Sequence, residues 1–355
     1  MKILIDIGHP GHVHLFRPFT QIMQDKGHQI LFTCRQKEFE IELLESEGFN
    51  YVSFGKKYSS ILGKIVGLLV FNIKMLKTAI KFKPDIFLSA GSMYAAQVSY
   101  VLRKPHITFE DTGNMEQVNL YKPFTDVILT SDVFHHDLGK NQIEYSGFHE
   151  LAYLHPNHFT PDRSIVKSLL VDPTKKTILF RFVSWNATHD VGQGGFLLSD
   201  KLNIVNKLKK KYNVFISSES SLPTELQKFR LKTKPEQIHD VMSYIDLFIG
   251  EGATMASECA MLGTPAIYVN TMEAGSIDDQ EKSGLVFHFR KTEGVLEKAM
   301  DILLQSNSKE YFYSKYKKML TKKIDVTAFL VWFIENYPKS KQIMKENPNY
   351  QNKFK

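Results

Sequence analysis

Cysteine is scarce in this chain. Its 355 residues hold two, Cys34 and Cys259, far apart in sequence. Two distant thiols make neither a disulfide framework nor a zinc cluster, so both read as reduced core residues of a cytoplasmic protein. Long apolar runs are also missing. None approaches the roughly 18 residues needed to span a bilayer, so no transmembrane segment is expected. The chain enters a strand at once (MKILIDIG), and no secretory leader is expected. Acid is missing from one stretch: Phe49 to Pro84 holds seven lysines and neither Asp nor Glu. Arginines interleaved with aromatics, the mark of base readers, are not seen, and nucleic acid is not an expected partner. No internal repeat or low-complexity tract stands out.

What is present is a globular composition, 43% hydrophobic with a net charge of +7 carried mostly by lysine. The length suits two domains of about 150 to 180 residues, each able to bury a core. A lysine field favours anionic partners such as lipid headgroups or phosphate substrates.

The first half alternates strand and helix. Ile3–Ile7 reads as a strand, followed by a helix over Leu15–Lys26 that Gly27 closes. Gln29–Thr33 is a second strand, and the helix Lys37–Glu47 is closed by Gly48. Strand Tyr51–Phe54 precedes a long helix, Ile61–Lys81. Strands Ile86–Ser89, His106–Phe109, Val127–Thr130 and Ile143–Tyr145 follow, with a helix near Tyr94–Leu102. The pattern lapses between Gly147 and Lys176, where Pro156, Pro161 and Pro173 mark a link. A second series runs through strand Thr177–Phe182, helix Asp200–Lys210, strand Val214–Ser217 and helix Thr224–Arg230. It ends in the unit Leu247–Val269, and the tail from Tyr311 reads as two helices. The organisation expected is α/β throughout: a domain over 1–150, a link over 151–176, a second domain over 177–323 and a helical tail over 324–355. The tail is apolar enough at Val326–Asn336 to pack back on the first domain. Parallel sheets covered on both faces follow from the alternation. Their ligands belong at the carboxyl ends of the strands.

The most informative stretch is DLFIGEGATMASECAMLGTPAIYVN, Asp246–Asn270. Gly250 and Gly252 allow a sharp turn from strand to helix. The helix then opens with free N–H groups and a positive dipole end, a seat for phosphate. Glu258, one turn inside, would repel phosphate at close range but suits ribose hydroxyls. A buried strand–helix–strand unit with a solvated Glu has the same spacing.

Other strand-end loops carry further candidates. GHPGHVH offers His9, His12 and His14 beside Gly8 and Gly11. A histidine there can take a proton from a sugar hydroxyl, contact substrate or cap the helix. Three could hold a metal, but no Cys or paired acid completes the set. Glu110 and Asp111 can act as the base, orient a histidine across the sheet, or cap a helix. RFVSWNATHDVGQGG presents Arg181, Ser184, Asn186, Thr188 and His189, donors suited to an anion such as a leaving diphosphate. Glu219 and His239 read as readily as surface residues or caps. The helix Ile61–Lys81 puts Lys74, Lys77 and Lys81 on one face and Leu69, Ile73, Leu76 and Ile80 on another. Such a helix packs in a core or lies on an anionic membrane surface.

These residues together resemble the GT-B glycosyltransferases. The resemblance is strongest to a bacterial and archaeal family of transferases that shares the HPGHVH-type loop and the RF-S-WNATHDVGQ segment. It shares also the pair His239-Asp240 and the G-x-x-TMA-E-x-A-x-LGTPAI block, and the likeness spans the chain to about Phe333. Gly11–Val13 and the last block are also similar to the transferase that completes lipid II. The resemblance implies two Rossmann-like domains facing a central cleft. It implies a nucleotide-sugar site formed by Arg181, Ser184, His189, Glu219, His239, Gly252, Ala253, Thr254, Met255 and Glu258. In it Glu258 holds the donor ribose and the loop at Gly252–Thr254 lies against the diphosphate. His9, Gly11 and His14 would contact the acceptor, and His12, beside Glu110 or Asp111, would be the base. No metal and no cofactor are expected. The hydrolysing UDP-N-acetylglucosamine 2-epimerase shares the fold, but its Gly-Asp-Thr turn is here Ala90-Gly91-Ser92, and its opening Arg-Pro-Glu pattern is missing. The function so expected is transfer of a sugar, from a UDP-sugar, to a lipid-linked or surface-polysaccharide acceptor; the alternatives are a 2-epimerase-like enzyme and a non-enzymatic nucleotide-sugar binder, since fold does not fix activity. The place expected is the cytoplasm, peripherally at the inner membrane face.

Overall fold

Alternating apolar strands and glycine- or proline-bounded helices build two parallel sheets. The structure, a computed structural model, describes residues 1–56, 61–169, 172–183, 195–218, 221–272 and 275–355, with the backbone alone at 61, 62, 64 and 65. The chain divides into two units, Met1–His158 with Lys323–Lys355, and Phe159–Lys322.

The first unit contains strands β1 (Lys2–Ile7), β2 (Gln29–Gln36), β3 (Tyr51–Lys56), β4 (Ile86–Ala90), β5 (His106–Glu110), β6 (Val127–Ser131) and β7 (Gln142–Tyr145). Its helices are α1 (Pro10–Asp25), α2 (Glu40–Ser46), α3 (Ile61–Phe82), α4 (Met93–Val101), α5 (Met115–Tyr121) and α6 (Leu151–Leu154). The second unit contains α7 (Arg163–Leu169), β8 (Thr177–Phe182), α8 (Leu198–Leu208), β9 (Asn213–Ser218), α9 (Ile238–Tyr244), β10 (Leu247–Gly250), α10 (Ala253–Met261), β11 (Ala266–Val269), α11 (Gly275–Lys282), β12 (Val286–Phe289), α12 (Val295–Leu304) and α13 (Ser308–Leu320). The chain returns to the first unit with α14 (Val326–Glu335), α15 (Lys339–Glu346) and a 3-10 turn, Pro348–Phe354.

The first sheet has the order β3-β2-β1-β4-β5-β6-β7 and the second β12-β11-β10-β8-β9. Every strand pairing in both is parallel. Strand order reverses at β1/β4 in the first sheet and at β8/β10 in the second. Ligands bind doubly wound sheets at the carboxyl side of that reversal. In the first unit α1 packs with α2, α6 and α14, while α3, α4 and α5 pack side by side. Right-handed crossovers place these two helix sets on opposite faces of the sheet.

Several expectations need correcting. Helix α1 starts at Pro10, not near Leu15. Proline at the first helical position needs no N–H, and the His9 side chain caps the turn by accepting the Gly11 N–H. The GHV residues therefore lie within the helix. The stretch 151–176 is not a plain link. It divides at His158/Phe159 and carries two short helices, the first of them wholly buried. Residues 224–229 form a 3-10 rather than an α-helix. Helices α5, α9, α11 and α12 and strand β12 were not expected. The tail holds three α-helices, α13 to α15, rather than two.

Helix α3 buries a different face from the one its sequence advertises. Phe71, Met75 and Ala79 pack on Leu4, Phe54, Phe87, Ala95 and Val98, whereas Leu69, Ile73 and Ile80 face solvent and Leu76 is half-buried. Four-residue steps of large side chains win the core, because burying each is worth about 1.5–3 kcal/mol.

Candidate functional site

At the reversal point of the first sheet, Asp6 ends β1 as a fully buried carboxylate. Arg35 of β2 grips both of its oxygens at 2.8 Å and donates from Nη2 to the Ile7 carbonyl. Thr33 and Ser92 donate their hydroxyls to the same carboxylate, and Ser92 also caps α4 at the Ala95 N–H. A buried charge is tolerated only when paired and hydrogen-bonded in this way. The network fixes the strand ends beneath the turn Gly8–His9.

The histidines of that turn separate into three environments. His9 caps α1 through Nδ1, 3.0 Å from the Gly11 nitrogen, and its ring is half exposed. His14 is buried against Tyr153, ring centres 5.8 Å apart, so it does not present itself to an acceptor. The early start of α1 turns it inward. His12 accepts the Gly8 N–H at Nδ1 over 3.3 Å. Burial first, then the charges of His9, His149, Arg35 and Lys37, hold its pKa well below the usual histidine value. It is a neutral imidazole at pH 7, and with Nδ1 accepting, its proton sits on Nε2. That nitrogen is a donor toward a ligand oxygen.

The two acids after β5 differ as sharply. Glu110 is buried, and Oε1 accepts from the Thr112 N–H, the Thr112 hydroxyl and the Gly113 N–H, at 2.8 to 2.9 Å. Its Oε2 accepts the Tyr121 hydroxyl at 2.5 Å. Four bonds to its own loop make Glu110 the organiser of that loop. Asp111 is half exposed, with Oδ2 3.7 Å from His149 Nδ1. His149 lies edge-on to Phe109, and its buried Nδ1 has no hydrogen-bond partner among the described residues. Sequence reasoning passed over His149, which lies in the loop between β7 and α6. Only the fold brings it to Asp111.

In the second unit, Arg181 near the end of β8 pairs in register with Gly250 of β10, and its Nη1 donates to Ser217 of β9 at 2.8 Å. Gly250 is required by close approach: a Cβ there would fall 2.6 Å from Phe248 and 2.9 Å from Arg181. Gly252 is the N-cap of α10, with extended backbone and no side-chain cap. The N–H groups of Ala253, Thr254 and Met255 thus open α10 without intrahelical partners. Thr254 is exposed and its neighbours half-buried. One turn on, Glu258 is 5% exposed and Oε1 lies 3.0 Å from His239 Nε2 of α9. His239 is buried too, edge-on to Phe159. Glu258 is therefore held by a histidine partner, not solvated as its spacing also permitted. Ser184, His189 and Glu219, with Asn186 and Thr188, lie outside the described residues.

Glu251 is a residue that the sequence did not single out. Its carboxylate is buried, accepts the N–H groups of Val183 and Phe196 at 3.0 and 2.8 Å, and meets Lys201 Nζ at 3.1 Å. It joins the end of β10 to both flanks of residues 184–194. The sole local hint was an acid between two glycines.

The family model described as "Protein of unknown function (DUF354)" matches residues 1–334. The chain belongs to the DUF354 family. The relative MJ0665 of Methanocaldococcus jannaschii, an uncharacterised protein, is 24% identical over 292 residues, 78% of this chain and 84% of that one. Among solved structures, the Neisseria meningitidis UDP-GlcNAc 2-epimerase bound to UDP-GlcNAc is 12% identical. That match covers 89% of this chain and 94% of the epimerase, with a TM-score of 0.62. The spinosyn rhamnosyltransferase SpnG complexed with spinosyn aglycone is also 12% identical, over 95% of this chain and all of its own (100%), with a TM-score of 0.61. At such identities the likeness is one of fold: this DUF354 chain has the GT-B fold shared by glycosyltransferases and 2-epimerases.

Proposed function

We propose that this protein transfers a sugar from a nucleotide-diphosphate donor, a UDP-sugar, to a hydroxyl of a lipid-linked or surface-glycan acceptor. The observation that carries this reading is the amino end of α10, whose N-cap Gly252 supplies no side-chain cap, placed at the carboxyl side of the β8/β10 reversal with Arg181 beside it. Helix N–H groups and a guanidinium suit a diphosphate. The ribose hydroxyls then fall to Glu258, oriented by His239. The MnaA structure of Staphylococcus aureus, similar in fold at a TM-score of 0.67, holds UDP.

In the first unit, Asp111 with His149 is the better-placed proton acceptor. Glu110 is committed to its loop, and His12 offers a donor. The step joins the acceptor oxygen to the anomeric carbon while the bond from that carbon to the diphosphate oxygen breaks. The hydroxyl proton passes to the Asp111–His149 pair, and the diphosphate leaves with the bonding electrons. The Nε2–H of His12 is suited to hold the acceptor oxygen. Electrostatic support of the departing charge comes from Arg181 and the α10 N–H groups.

Calorimetry with UDP-, GDP-, CDP- and dTDP-sugars tests the donor site, and the UDP-sugars are expected to give heat. Silence from the whole panel overturns the reading. Turnover is then followed with lipid-linked acceptors. Release of free epimerised sugar from UDP-GlcNAc without acceptor would identify a 2-epimerase instead. Against that outcome, the turn after β4, Ala90-Gly91-Ser92, carries no acid, and its Ser92 is bonded to Asp6.

A further inference from the structure

Helix α3 is apolar on two sides. Besides the face buried on the sheet, it turns Val66, Leu69, Ile73 and Ile80 outward, between 53% and 63% exposed. These positions recur at helical spacing and form one stripe. Lys77 and Lys81 flank the stripe, both exposed, and no carboxylate pairs with them among the described residues. Neighbouring α4 adds Tyr100 and Val101, 65% and 66% exposed, at the end where Arg103 and Lys104 follow. From Phe49 to Phe109 the chain carries nine Lys and Arg and a single acid, Asp85, whose carboxylate is bound to the Lys2 N–H.

Apolar side chains singly exposed on a surface are ordinary, but a stripe of four on one helix beside two more is not. We propose that this α3–α4 face docks on an anionic bilayer surface, its apolar stripe entering the headgroup region and its lysines meeting lipid phosphates. Charge complementarity chooses the occupant. In a symmetric dimer through this face, each copy would set its lysine-rich, acid-poor surface against the same surface of the other. A nucleic-acid backbone would match the lysines and leave the stripe wet. An anionic bilayer satisfies both. The helix lies on the surface and does not cross it, since among the described residues no helix is long and apolar enough to span.

The test uses the full chain, without nucleotide sugar, so its result does not depend on the proposed transferase activity. Flotation with vesicles of phosphatidylcholine, with and without phosphatidylglycerol, is expected to show binding to the anionic vesicles alone. That binding weakens as salt rises. Lys77→Ala and Lys81→Ala should each lower vesicle affinity about fivefold. The double variant Ile73→Glu/Ile80→Glu should abolish binding while melting at the same temperature, because both side chains already face water. No binding to anionic vesicles overturns the proposal, as does undiminished binding by the Glu variant. So does a self-associated protein that Ile73→Glu splits and that ignores vesicles, which would mark the face as an interface between copies.

Discussion

His239 Nε2 lies 3.0 Å from Glu258 Oε1, with both side chains almost wholly out of solvent. The pair links α9 to α10 and fixes the carboxylate one turn inside the helix whose amino end is open. Glu258→Ala leaves the imidazole buried without this acceptor. Denaturant unfolding should show a loss of about 1–3 kcal/mol. Nucleotide-sugar affinity should fall by a further 1–3 kcal/mol, roughly fivefold to 150-fold, measured by calorimetry below the unfolding midpoint. His239→Ala should lose comparable stability with a smaller effect on affinity. Equal affinity for wild type and Glu258→Ala removes Glu258 from the ribose.

The adjacent acids Glu110 and Asp111 separate structure from chemistry. Glu110→Gln replaces one acceptor oxygen by a donor and confronts either the Tyr121 hydroxyl or the three loop donors. It should lower stability by about 1–3 kcal/mol. Asp111→Asn, at a half-exposed site, should leave stability within about 0.5 kcal/mol and lower kcat by roughly 10²–10⁴. Urea midpoints and single-turnover rates read the two effects. The reverse pattern would return the base role to Glu110.

Local signals in the sequence were legible where the backbone itself dictates them. Gly27 and Gly48 adopt φ of 83° and 68° just past α1 and α2, and their role as helix stops was readable without a structure. The strands of both sheets except β12 were readable as apolar runs, and the strand-end loops as places for chemistry. What failed was any choice that needs a partner distant in the chain. Helix α3 is apolar on both sides, so periodicity alone cannot say which side Phe54 and Phe87 cover. Helix α5 is seven residues of mixed polarity with no stripe to read. Glu251 acquires meaning from Val183 and Phe196, 68 and 55 residues away. His149 acquires it from Asp111 on another strand end. His14 was misread because the helix begins sooner than its apolar pattern.

His106 makes stability depend on pH. It is wholly buried, with Nε2 3.0 Å from the Ser89 hydroxyl and Nδ1 2.9 Å from that of Thr125. Burial pushes its pKa down to about 3. The folded protein therefore keeps it neutral, while the unfolded chain takes up a proton near pH 6.5. Stability is full above that value and is lost as pH falls from 6.5 toward 3. Between pH 7.5 and 5.5 the loss from this residue should be about 1.4 kcal/mol. His12, lowered in the same direction, adds to it. Urea unfolding at the two pH values checks this, and His106→Asn should shrink the difference.

Glu251 ties the end of β10 to Val183, Phe196 and Lys201. Its buried carboxylate receives two backbone N–H groups and one ammonium. Lys201 also stacks over Phe182 at 4.7 Å, so its charge is held from two sides. Glu251→Ala leaves two N–H groups and a half-buried ammonium without the carboxylate, and the expected loss is about 3–5 kcal/mol. Lys201→Met keeps the stem over Phe182 and removes the charge, leaving the carboxylate with its N–H donors. Its loss should be smaller, about 1–2 kcal/mol. Double-mutant unfolding then decides how the site is built. Combined with Glu251→Ala, the lysine change should cost almost nothing more, because the partner it served is already gone. Strict additivity would mean that Lys201 and Glu251 act separately, and that the backbone donors alone hold Val183 and Phe196 beside the open end of α10.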